Sequence, residues 1–163
     1  MEIVRGALSS IVVSPGVWRA NWAWGLPLIV LTVIIHVSSL GLINQRGVRL
    51  LGHMTDRRHP RLVFAEVMGT TTLLATVLHG VEAGIWAAFY QFLGALPDFK
   101  SAMLYSLNAI TSYGHESLFL ESRWQLLGAI EALNGSLLFG LTTAFLFGMI
   151  QKIWLLGRSG AGH

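Results

Sequence analysis

The sequence predicts an all-α integral membrane protein: three transmembrane helices plus a re-entrant helix followed by a non-helical return segment. Three observations carry that prediction. Of 163 residues, 53% are hydrophobic and only 12% charged, too apolar and charge-poor for an ordinary soluble domain. Three long apolar stretches alternate with polar ones. A fourth, shorter stretch is too apolar for a solvated loop and too short to cross a bilayer. The absence of cysteine excludes a disulfide framework and a thiolate metal site, leaving six histidines as the only side-chain nitrogens of the metal-binding type. No nucleotide loop, Ser/His/Asp arrangement or paired-carboxylate motif stands out, so the expectation is that the chain is not an enzyme. No nucleic-acid partner is expected either, because in a membrane chain the placement of the arginines outweighs their sum.

The elements follow in order. Residues 1–23 read as an interfacial segment: a short apolar run interrupted by Pro15, anchored by Trp18, Trp22 and Trp24, with no convincing signal-peptide cleavage site. Residues 24–43 contain no Asp, Glu, Lys or Arg, and at about 1.5 Å per residue their length matches one hydrocarbon core of roughly 30 Å. Residues 44–61 form a basic loop with Arg46, Arg49, Arg57, Arg58 and Arg61. The next apolar stretch, 62–96, carries only Glu66, His79 and Glu82 and reads as one long tilted helix. Another span occupies 124–154, interrupted by Glu131 and Asn134, and 155–163 is a tail. The arginine-rich loop is expected in the cytoplasm, which puts the N-terminus outside and the C-terminus inside.

Between the last two spans the chain reads PDFKSAMLYSLNAITSYGHESLFLESR. Pro97 and Asp98 predict a helix start, with Asp98 capping free amides, followed by an apolar helix over 98–110. Such a helix enters the membrane and stops, so 111–117 must return as non-helical backbone. At that depth irregular backbone requires burial in protein or a water-filled path. Three spans cannot wall off a path alone, so a symmetric oligomer with this segment on its axis is expected.

From His79 to Gln151 the chain resembles the potassium-channel pore superfamily of two-transmembrane type, in the small bacterial members that include a group with an extra N-terminal span. The resemblance rests on FKSAMLYSL before the turn and RWQLLGAIEALNG after it. The family's filter reads Thr-Thr-(Val/Leu)-Gly-Tyr-Gly-Asp. A gapless alignment lays it on Thr111, Ser112, Tyr113, Gly114, His115, Glu116 and Ser117. Thr111 and Gly114 match and Ser112 is conservative, whereas His115, Glu116 and Ser117 replace Tyr, Gly and Asp. The resemblance implies that residues 62–154 form a pore-type domain with a filter-like segment over 111–117, in a homotetramer in the bacterial inner (plasma) membrane, and a cation-conducting channel with a degenerate, weakly selective filter. It implies no cofactor, and no metal beyond permeant monovalent or divalent cations. The alternative is a non-conducting membrane subunit that keeps the pore scaffold for assembly.

Each singled-out residue also has a plainer reading. Glu116 either joins a ring of carboxylates at the outer mouth or is an ordinary loop acid tied to Arg123. His115 is either a ligand or a wall residue behind the strand. Glu131 and Asn134 lie one turn apart: Glu131 either supports the filter from behind or takes a proton and holds helices together. His79 and Glu82 share a face and either form a buried structural pair or act as a modulatory proton site, and His36 reads as a satisfied packing histidine. Gly135, Gly140 and Gly148 either let inner helices bend or are small packing residues. Thr142 and Thr143 either line a cavity or bond back to their own helix. The arginine loop follows from topology alone, with anionic lipid at Arg46, Arg49, Arg57, Arg58 and Arg61 as a second role.

Overall fold

The computed structural model describes residues 14–54, 60–114 and 118–159. Four α-helices occur in it: α1 Pro15–Met54, α2 Pro60–Phe92, α3 Phe99–Ile110 and α4 Gln125–Ser159, the last preceded by a 3-10 turn at Ser122–Trp124. No strand occurs among the described residues. Three segments, Pro15–Arg46, Leu62–Phe92 and Ser122–Lys152, are long and apolar enough to cross a membrane. Their surfaces agree with that reading, since Val30, Ile34 and Val37 on α1, Leu73 and Val77 on α2, and Leu133 and Phe147 on α4 are all exposed. The chain is read as a multi-pass membrane protein.

The helix boundaries have local causes. Helix α1 starts well before Trp24, because Ser14 and Pro15 form a helix entry. The Ser14 carbonyl accepts from the amides of Val17 and Trp18, and Pro15 occupies the first helical position, where its missing N–H costs nothing. The helix also runs on to Met54, past the end of the apolar stretch and into the expected basic loop. Helix α2 stops at Phe92, four residues short of the sequence expectation. Gly94 adopts φ +65 and its amide returns to the Gln91 carbonyl, while Ala95 N–H bonds Tyr90 O at 2.9 Å. That pair of bonds is a Schellman ending, which favours glycine at the left-handed position.

Helix α3 begins as expected. Asp98 is its N-cap, accepting from Ser101 N–H at 2.9 Å and from the Ser101 hydroxyl at 2.8 Å. These bonds hold the exposed Asp98 carboxyl below the usual carboxylate range. Its buried residues Ala102, Tyr105, Ser106, Ala109 and Ile110 recur at helical spacing and give it one inward face.

By compactness the chain divides into two units, Met1–Val33 with Gly80–Leu137, and Ile34–His79 with Leu138–His163. In the first, Trp86, Ala87, Tyr90, Ala102, Tyr105, Leu127 and Ile130 form the core. Tyr90 and Tyr105 meet edge to face, their centroids 5.4 Å apart. In the second, Val63 and Val67 of α2 pack with Met149 of α4, alongside Met68 and Phe145.

Candidate functional site

In the first unit, the fully buried Glu131 projects from α4 into the core. Tyr90 of α2 donates its hydroxyl to Glu131 Oε2 at 2.6 Å. Ser106 of α3 lies between Glu131 Oε1, with which it makes a short contact, and the Ala83 carbonyl oxygen at 2.7 Å. Glu131 therefore joins three helices. It contacts the middle of α3 through Ser106, so the support it gives is to the short helix.

The C-terminal end of α3 packs just as closely. Gly135 of α4 lies under Ile110: a Cβ there would fall 2.7 Å from the Ile110 carbonyl carbon and 2.8 Å from its Cα. Gly128, three residues before Glu131, sits in the same way under Tyr105, where a Cβ would meet the hydroxyl oxygen first and would be 3.1 Å from Cζ. Gly140 and Gly148 have open space around them. Close approach of backbones, which membrane helices achieve with small residues, accounts for Gly135.

Thr111, Ser112, Tyr113 and Gly114 are exposed in the single chain, and 111–113 do not form the expected extended strand. Ser112 N–H bonds the Ala109 carbonyl and Tyr113 N–H bonds the Asn108 carbonyl, at 2.9 and 3.0 Å. This is a second Schellman ending, with Ser112 at the left-handed position, φ +55. The physical reason is the one that ends α2: unpaired carbonyls in the last helical turn draw the following amides back onto the helix. Thr111 adds its hydroxyl to the same turn by donating to Leu107 O at 2.7 Å. Gly114 follows at φ +92, with no atom within 4 Å of a would-be Cβ, so the backbone torsion itself selects glycine there. His115, Glu116 and Ser117 lie outside the described residues, as do Arg57 and Arg58. Of the remaining basic residues, Arg46 is exposed near the described end of the α1 span, and Arg49 and Arg61 fall on helix ends whose side chains are outside the description. Arg123 pairs with Glu121 at 3.0 Å on the surface.

Asn134 is buried, and its amide donates to Thr32 Oγ1 of α1 at 2.9 Å. Thr32 donates in turn to the Leu28 carbonyl. Asn21 on α1 accepts from Leu127 N–H at 2.9 Å and donates toward the carbonyls of Arg123 and Val17, both at 2.7 Å. It thus caps the first turn of α4 from another helix.

In the second unit, Thr142 is not in an open cavity. It is buried, with His36 Nε2 and His79 Nε2 each 3.1 Å from its hydroxyl oxygen, and His79 stacks on Phe139 at 4.3 Å. A hydroxyl has one hydrogen, so it donates to one imidazole and accepts from the other. His36 is thereby satisfied, as expected, and His79 has Thr142 as a partner. Thr143 faces outward and donates to its own helix at Phe139 O.

Tyr90, Tyr105, Ser106, Thr32 and Asn21 belong to these networks, yet spacing alone did not single them out. A signal existed for Ser106 and Asn21: each is a small polar residue in a largely apolar stretch and, if buried, must find a partner. The chain matches no family model, and no curated protein or solved structure matches it significantly.

Proposed function

We propose that this chain is the subunit of a homotetrameric, weakly selective cation channel of potassium-channel-pore type. One observation carries the reading. The 12-residue helix α3, about 18 Å long and too short to cross a membrane, is tied by buried polar bonds to two helices long enough to do so. A short helix anchored in this way is what a re-entrant pore helix requires, with 111–117 as the ion path. Glu116 would face that path as one of four carboxylates, concentrating cations and favouring divalent ones. In this reading no catalysis occurs, the chain resides in a bacterial plasma membrane, and anionic lipid meets the Arg46 to Arg61 region on the cytoplasmic side.

A specific observation favours the second reading, a non-conducting subunit that uses the scaffold for assembly. The amides of Ser112 and Tyr113 are turned back onto α3, whereas a filter needs a stack of carbonyls facing an axis.

Reconstitution with bi-ionic reversal potentials separates the two. The channel reading expects a cation current that discriminates weakly between potassium and sodium, with divalent block relieved by Glu116→Gln. Absence of current from a verified tetramer would establish the assembly reading, and anion current would refute both. Orientation is tested separately by labelling Thr55→Cys: reaction from the cytoplasmic side alone is expected, and reaction from outside reverses the topology.

A further inference from the structure

The hydrogens around Ser106 do not add up if Glu131 is ionised. Ser106 Oγ sits between two oxygens, the Ala83 carbonyl at 2.7 Å and Glu131 Oε1 in a short contact. A backbone carbonyl only accepts, an ionised carboxylate only accepts, and a serine hydroxyl has a single hydrogen. With a carboxylate at Glu131, that hydrogen fills one contact and leaves the other as two lone-pair-bearing oxygens pressed together. One additional proton on Oε1 closes every contact: Glu131 donates to Ser106, Ser106 donates to Ala83 O, and Tyr90 donates to the carbonyl-like Oε2.

The surroundings lead to the same count. The groups facing Glu131 are Tyr90 from α2 and Tyr105 and Ser106 from α3. Helix α2 also carries the buried acid Glu82, next to Ala83, and α1 contributes to this unit's network the non-ionising Asn21 and Thr32. No cation stands among these groups to hold a buried carboxylate in its charged form, and an uncompensated charge in a membrane span is costly.

We propose that Glu131 is a proton-binding site: at neutral pH it is a neutral carboxylic acid whose hydrogen fastens Ser106, and with it α3, to α2 and α4. Loss of that proton to water removes the donor from Oε1. The single Ser106 hydrogen must then abandon either Ala83 or Glu131, so the attachment of α3 loosens as the solution becomes alkaline. This latch does not depend on whether the protein conducts ions.

Infrared difference spectra of the full chain in lipid nanodiscs at neutral pH test it. Glu131→Gln should remove the carbonyl band of a protonated carboxylic acid; removal of carboxylate bands instead would overturn the proposal. Tyr90→Phe deletes the hydrogen bond to Oε2 and should move the same acid band to higher frequency without abolishing it. An unmoved band overturns the assignment, and this arm decides alone if Glu131→Gln does not fold. Folding gives a third measure. A proton held in the native state and released on unfolding makes stability fall with rising pH, by about tenfold in the folding constant per pH unit above the ordinary carboxyl range. That slope should be present in the wild type and lost in Glu131→Gln; an equal slope in both would refute the latch.

Discussion

Gly135→Ala tests whether the close approach of α3 to α4 is what holds the short helix in place. The added methyl would meet backbone: the Ile110 carbonyl carbon at 2.7 Å and Cα at 2.8 Å. Ordinary contact begins near 3.4 Å and the Ile110 carbonyl oxygen lies closer still than these two carbons, so the end of α3 must retreat by more than about 0.7 Å or the helices must bend apart. Overpacking of this kind typically costs about 1–3 kcal/mol. A retreat also stretches the Ser106 bonds, whose loss adds about 1 kcal/mol. Against this stands a gain of up to about 1 kcal/mol from replacing a helical glycine by alanine. The net expectation is a loss of about 1–3 kcal/mol. Gly140→Ala is the matched control: nothing lies within 4 Å of its Cβ, so only the helix gain remains and stability should rise slightly or stay level. Reversible unfolding in mixed micelles, followed by tryptophan fluorescence, measures both. Equal stability of Gly135→Ala and Gly140→Ala would refute the packing argument.

Ser112→Gly should stabilise the protein by about 1 kcal/mol in the same assay, since a non-glycine residue at φ +55 carries left-handed strain. Thr142→Val should destabilise by about 1–3 kcal/mol, because a buried imidazole nitrogen loses its partner, while Thr142→Ser keeps the hydroxyl and should fall by less. Asn21→Ala should cost a similar amount and raise amide exchange in the first turn of α4, where Leu127 N–H loses its acceptor. Protection of α3 amides should fall as pH drops through the lowered titration of Asp98. The capping contribution of that carboxylate is complete above its unfolded value and vanishes once it is protonated in the fold. Asp98→Asn, which can still cap, should remove this pH dependence.

How much of this was legible in the sequence differs from element to element, for physical reasons. The three long helices were legible because lipid-facing surface must be apolar all along a span, and composition records that directly. Asp98 was legible because a cap is a local device, decided within three residues of itself. The end of α2 was missed although Gly94 signals it, since the apolar run continues to Leu96 and hydropathy does not record backbone torsion. Glu131 and Asn134 were legible as buried polar residues on one helix face, but their partners were not. Ser106 comes from 25 residues away, and Thr32 from 102. Pairing at such separation is fixed by which helices meet and in what register, and periodicity within a single helix holds no record of that. Gly135 makes the same point from the opposite side. Its sequence neighbourhood is equally compatible with bending and with packing, and only the position of the Ile110 backbone decides for packing. The polar residues of the apolar stretches are therefore the places where the chain states that a partner exists, and the structure is where the partner is read.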